Sequence, residues 1–143
     1  MRLGGNQKVN LIAKVPLFEQ CSKKELEEVA SVADEIDLGA GRALMTEGEP
    51  GREFFVILEG TADVTQGGEP VNSLESGDFF GEIALISQGP RTATVTTTSP
   101  VRALVVTDRS FRRLVEKSPE IERKVLAAAV DRLNPKFKRE ARR

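Results

Sequence analysis

Two side chains of opposite charge, Glu82 and Arg91, stand within the segment Phe80-Gly81-Glu82-Ile83-Ala84-Leu85-Ile86-Ser87-Gln88-Gly89-Pro90-Arg91-Thr92-Ala93-Thr94-Val95. Arg91 follows the turn signal Gly89-Pro90 and brings a permanent positive charge whose forked donors suit phosphate oxygens. Gly81 has no Cβ, so a ligand can approach the backbone closely there. Residues 82–86 have the length of a single helical turn, whose first N–H groups lack internal partners and favour an anion. Glu82 is the odd member, because a carboxylate beside a phosphate is repelled unless it has a separate task. Accepting a hydrogen bond from a sugar hydroxyl is such a task. Phosphate donors, an arginine and a sugar-reading carboxylate together point to a compact nucleotide.

The segment sits between a turn signal, Ser76-Gly77-Asp78, and the alternating Thr94-Val95-Thr96, which reads as strand. It resembles the phosphate-binding cassette of the cyclic nucleotide-binding domain family, F-G-E-[IL]-A-L-…-P-R-x-A-[TS]-V, and departs from it at no defining position. The resemblance implies that Arg91 pairs with a cyclic phosphate and that Glu82 takes the ribose 2′-hydroxyl. It also implies that backbone N–H groups around Gly81, Ile83, Ala84 and Ala93 complete the anion site.

At Thr92 the resemblance leaves two readings. Cyclic AMP-selective members often carry alanine or serine there. Cyclic GMP-selective members carry threonine, whose hydroxyl can meet the guanine amino group. Threonine also occurs in cyclic AMP binders, where it can donate to phosphate. Cyclic AMP, the commoner messenger, is the expected ligand, with cyclic GMP as the alternative. Apolar strand faces are expected to line the base pocket, with Leu74 and Ala93 as candidates beside Ile57 or Leu58, Val71 and Leu85. Phe80 leads into the site and is counted with its residues. The family often stacks a residue from a C-terminal helix or lid over the base. Phe137 and the aliphatic residues of 120–133 are the candidates here.

The 143 residues suit one domain, and a charged fraction of 30% with a hydrophobic fraction of 39% is ordinary for a soluble globular chain. A net charge of −1 gives no electrostatic case for nucleic acid or membrane as partner. No apolar run approaches membrane-spanning length, and Met1-Arg2-Leu3-Gly4-Gly5-Asn6 lacks the apolar core of a signal peptide, so a cytoplasmic location is expected. Cys21 is the single cysteine and has no internal disulfide partner. Histidine is absent, which removes imidazole metal ligands and the usual general base of a nucleophilic triad. A metal site and an enzymatic activity are therefore not expected.

Periodicity supplies the scaffold. Val9, Leu11, Ile12 and Val15 fit a short helix ended by Pro16, and Pro16-Leu17-Phe18 reads as an apolar corner. Ser22-Lys23-Lys24-Glu25 is a capping box, with Cys21 and Leu26 placed for a staple, predicting an amphipathic helix over 23–33. From residue 35 to 107, short apolar or alternating runs are divided by glycine-bearing turns, most of whose glycines are expected to supply positive φ. The runs are 36–38, 42–46, 54–58, 61–65, 71–74, 91–97 and 101–107, with Gln66-Gly67-Gly68-Glu69 as a hairpin tip. The stretch from Glu47-Gly48-Glu49 through Phe54-Phe55-Val56-Ile57-Leu58-Glu59-Gly60 also resembles the family's first glycine-marked hairpins.

The predicted class is mainly β with flanking helices (α+β): an antiparallel double-stranded β-helix or jelly-roll barrel, N-terminal helices and two C-terminal helices. Asp108 is expected to cap the first of those two, and Ser118-Pro119-Glu120 to start the second, which ends before Asn134-Pro135. The expected organisation is a helical segment 1–34, a barrel 35–107 with its cassette at 80–95, helices at 108–134 and a basic tail 135–143. The tail reads as solvated, since a run of like charge usually is.

The favoured function is a sensor in which cyclic nucleotide biases the C-terminal helices between two arrangements, with an effector protein or a second copy meeting those helices. A catabolite-activator-type regulator needs a helix-turn-helix after the barrel. Ten residues follow Leu133, so no direct DNA contact is expected from this chain alone; the alternative is the sensor portion of a larger transcription regulator, channel, kinase or other multidomain effector. A barrel kept only as an interaction surface fits less well with the intact Gly81, Glu82 and Arg91.

Overall fold

A computed structural model describes residues 4–85 and 89–133. Ile86 to Gln88, the expected helix end at Asn134-Pro135 and the basic tail with Phe137 lie outside the described residues.

Helix α1 spans Gly5–Ala13, and a 3-10 turn, Pro16–Phe18, follows with Leu17 and Phe18 buried. Helix α2 spans Lys23–Ser31. Its capping box forms as the sequence predicts: Glu25 N donates to Ser22 Oγ at 3.2 Å and Ser22 N donates to Glu25 Oε1 at 2.7 Å. The helix stops two residues before the predicted end, with Val32 as its C-cap, while Ala33 stays buried beyond it.

Eight strands follow: β1 Asp34–Leu38, β2 Ala43–Met45, β3 Glu53–Glu59, β4 Ala62–Gln66, β5 Glu69–Leu74, β6 Phe79–Phe80, β7 Thr94–Thr97 and β8 Val101–Thr107. They form two four-stranded antiparallel sheets, ordered β1-β8-β3-β6 and β2-β7-β4-β5. This is the double-sheet jelly roll that the spacing of short strands predicts. The β4–β5 hairpin turns at Gly67 and Gly68, both at positive φ (58° and 83°), the twist a two-residue hairpin demands.

Burial explains the sequence texture of the two sheets. Phe55, Ile57, Phe80 and Val105 of the first sheet meet Ala62, Leu74 and Val95 of the second in the core between them. Phe54, Val56, Leu104 and Val106 point the other way, into a helical layer built on Ile12, Leu17, Phe18, Val29, Phe111 and Ile121. The first sheet is thus covered on both faces, so β3 and β8 are near-continuous apolar runs. In β7, by contrast, half-buried Thr94 and Thr96 alternate with buried Val95 and Thr97.

Helices α3, Asp108–Lys117, and α4, Pro119–Leu133, complete the helical layer. Thr107, not Asp108, caps α3: Ser110 N donates to its Oγ1 at 3.1 Å, while Asp108 is the first helical residue and places its charge in the first turn. Helix α4 starts at Pro119 as expected, and the hydroxyl of Ser118, the expected cap, donates to Glu28 Oε2 of α2 at 2.5 Å. Among the described residues no helix is long and apolar enough to cross a membrane.

Candidate functional site

Two backbone segments bring Gly81 and Arg91 together. The first is β6, which pairs with β3 through Phe55↔Phe80, the two rings stacked at 4.9 Å between centroids. The chain then turns at Gly81, φ +79°, a left-handed conformation that L side chains rarely adopt. A Cβ there would also lie 2.7 Å from the Glu53 carbonyl oxygen and 2.8 Å from Arg91 Nη1. A single 3-10 turn, Glu82–Leu85, follows, and Ala84 N donates to Gly81 O at 3.1 Å. This is the short helical turn read from the sequence, and its first N–H groups lack partners within the turn.

The second segment is a bridge between two loops, centred on Pro50↔Pro90. Neither proline has an N–H to give, so the flanking residues carry the bonds: Arg91 N to Glu49 O at 2.7 Å, and Gly51 N to Gly89 O at 3.2 Å. Gly48 N donates in turn to Arg91 O at 2.8 Å. This pairing takes Arg91 out of β7, which begins at Thr94 rather than at Arg91 as the apolar pattern predicts. The Glu47 carboxylate accepts from Gly67 N at 2.9 Å and ties the same loop to the hairpin tip.

Held this way, the half-buried Arg91 guanidinium donates from Nη2 to Glu53 O at 2.7 Å and makes a long 3.5 Å contact from Nη1 to Gly81 O. Burial pulls the guanidinium below its ordinary pKa, and the Glu53 charge opposes that pull. Arginine starts so high that it stays charged at neutral pH. A partly desolvated cation bonded to main-chain carbonyls is poised to gain from an anion. Arg91 also lines an open cavity of about 450 Å³ with Leu44, Met45, Thr46 and Glu53.

Ala84, Ala93, Leu74 and Phe80 are buried, the last two in the core between the sheets. Thr92 is exposed, and its carbonyl accepts from Gln66 Nε2 at 3.1 Å. Glu82 and Ile83 are described by their backbone, which opens the 3-10 turn. Of the pair Ile57 and Leu58, Ile57 faces between the sheets while Leu58 packs on the helical layer. Leu85 is buried in that helical layer too. Val71 is 53% exposed, next to an irregularity in the β4–β5 pairing. Sequence reasoning missed three contributors to the site: strand β6, the Glu53 carbonyl and Gly51, which lies against the Arg91 side chain. Among the described residues no group of three or more acidic or cysteine side chains is placed to hold a metal ion.

The sequence and the fold accord with known proteins. The sequence model described as "Cyclic nucleotide-binding domain" matches residues 35–118. A cAMP-dependent protein kinase regulatory subunit from Mycosarcoma maydis is 40% identical over 110 residues, covering 71% of this chain and 21% of that protein. A cyclic nucleotide-gated potassium channel from Rhizobium etli is 37% identical over 122 residues, covering 85% of this chain and 34% of the channel. The chain thus spans between about a fifth and a third of the length of these two relatives. Among solved structures, the N-terminal domain of a transcriptional regulator from Streptomyces coelicolor A3(2) superposes with a TM-score of 0.79 at 25% identity. That match covers 88% of this chain and 94% of the other. With a family match over more than half its length, the chain belongs to the cyclic nucleotide-binding domain family.

Proposed function

We propose that this chain is a cyclic AMP sensor, with cyclic GMP as the second reading, and that it regulates rather than catalyses. The observation that carries the proposal is the convergence of the Arg91 guanidinium and the Gly81 turn, where a Cβ would stand 2.8 Å from Nη1. In this reading Arg91 neutralises the cyclic phosphate, and the backbone N–H groups around Gly81, Ile83, Ala84 and Ala93 bond its oxygens. Glu82 accepts from the ribose 2′-hydroxyl. Leu74 and Phe80 support the apolar wall, and Thr92 faces the base or the phosphate. The sensing unit is the sheet region 35–107 with its cassette at 80–95, and the helices over 108–134 are the responding element.

A solved structure titled "cAMP bound PfPKA-R (141-441)" shares the fold, with a TM-score of 0.67 at 21% identity. Relatives that include kinase regulatory subunits and a gated channel favour a signalling module in the cytoplasm whose effector lies elsewhere in the polypeptide or on a partner. A homodimer through the C-terminal helices is the alternative partner.

Calorimetric titration with cyclic AMP and cyclic GMP, using the linear monophosphates as controls, tests the reading. Arg91→Ala leaves a buried phosphate short of its partner, a loss of about 2–5 kcal/mol. At about 1.4 kcal/mol per decade, affinity falls by at least tenfold. The circular dichroism spectrum is expected to stay that of a folded chain. Unchanged affinity in Arg91→Ala removes that residue from the site.

A further inference from the structure

We infer that Gly51 is a positioning residue for Arg91: the space a side chain would fill at 51 is the space in which the arginine arm lies. Gly51 is buried, and it is not among the glycines at positive φ, so its backbone conformation does not demand glycine. A Cβ at 51 would stand 3.1 Å from Arg91 Cδ and 3.2 Å from both Nε and Nη1. Gly39 and Gly89, whose φ is likewise not positive, have nothing within 4 Å of such an atom. The contact at Gly51 is therefore specific to its place in the Pro50↔Pro90 bridge, which lays the arm of Arg91 across it.

The arm has little freedom to yield. Its Nη2 is bonded to Glu53 O at 2.7 Å on one side, and the tight Gly81 turn closes on Nη1 from the other. A methyl group at 51 pushes the guanidinium a few tenths of an ångström off its carbonyl seat. The inference rests on the reading of Arg91 as the phosphate ligand. If the displaced arm holds the binding pose about one-tenth of the time, the apparent Kd rises about tenfold.

The test is a cycle of Gly51→Ala, Arg91→Ala and the double variant in the 143-residue chain, titrated with cyclic AMP and unfolded thermally without ligand. Gly51→Ala is expected to bind about tenfold more weakly and to melt lower than the parent. In the Arg91→Ala background the same substitution changes neither the residual affinity nor the midpoint, because the space is empty. Parent-like binding by Gly51→Ala, with binding lost in Arg91→Ala, overturns the inference and leaves the nucleotide reading intact. Equal midpoint losses in both backgrounds also overturn it. Parent-like binding by Arg91→Ala removes Arg91 from the site instead, overturning the reading of it as the phosphate ligand, and the melting cycle still decides whether Gly51 seats the arginine. Should Gly51→Ala fail to fold, folding of the double variant supports the inference and failure of both overturns it.

Discussion

Lys124 of α4 donates to Glu25 of α2 at 2.7 Å, a bond between the first and last thirds of the chain in which both side chains are largely shielded from water. The Ser118–Glu28 bond stands beside it, so the junction of α3 and α4 is pinned to α2 at two points. The bond from Lys124, helped by the Ser22 cap, lowers the Glu25 pKa from its usual 4.5. A carboxylate whose folded pKa is depressed contributes stability above its unfolded value, and that contribution is lost as pH falls through the folded value.

Lys124→Met is accordingly expected to destabilise the chain at pH 7 by about 1 kcal/mol, the upper range for a partly exposed pair. The deficit narrows as the pH drops below the usual carboxylate range. Urea unfolding of parent and variant at neutral and acid pH checks both statements. A deficit that stays constant across that range refutes the electrostatic account.

Glu82→Ala is expected to weaken cyclic AMP less than Arg91→Ala does, and to lose discrimination against the 2′-deoxy analogue. A hydrogen bond to a charged group contributes about 1.5–3 kcal/mol, so the ribo form suffers by that order while the deoxy form is spared. Parallel titrations of the two ligands check it. Equal losses for both contradict the sugar-reading role.

Gly81→Ala meets two obstacles at once, a left-handed φ of +79° and a carbonyl oxygen 2.7 Å from the new Cβ. Strain of that kind costs about 1–3 kcal/mol. A lower melting temperature with weakened ligand binding is the expected outcome, measured by calorimetric scanning and titration. A parent-like melt and parent-like affinity together contradict the close approach at this turn.

The Cys21 thiol is pushed up to about 11 from 9.0, by burial first and then by the Glu25 carboxylate. At neutral pH its thiolate fraction is therefore about one hundredth of that of a free cysteine, and alkylation should slow in proportion. Iodoacetamide labelling in buffer and in denaturant, followed by mass spectrometry, reads this directly. Equal rates in the two conditions refute it.

What could be read from the sequence divides along the range of the interactions. The Ser22–Glu25 box and the Gln66–Glu69 hairpin are local, and both form where their residues predict. Strand β6 is two residues long, and only its pairing with β3 makes it a strand, so no periodicity could announce it. The pairing of the 48–51 loop with Gly89 to Arg91 is equally non-local, which is why the alternating pattern in the sequence runs longer than strand β7 itself. At the site, the Arg91 and Gly81 types were legible because their chemistry is written in their side chains or in the lack of one. The Glu53 contribution is a main-chain oxygen, which every residue has, and Gly51 reads as one more turn glycine until its neighbour is seen.

Leu85 closes the 3-10 turn, yet its side chain is embedded with Phe111, Leu114 and Ile121 in the layer that covers the outer side of the first sheet. The turn and the C-terminal helices therefore share one solid mass of close-packed atoms, which resists compression and hands on any displacement as a gear hands on rotation. In the sensor reading proposed above, a ligand's push at the cassette is expected to reach α3 and α4 through this shared packing.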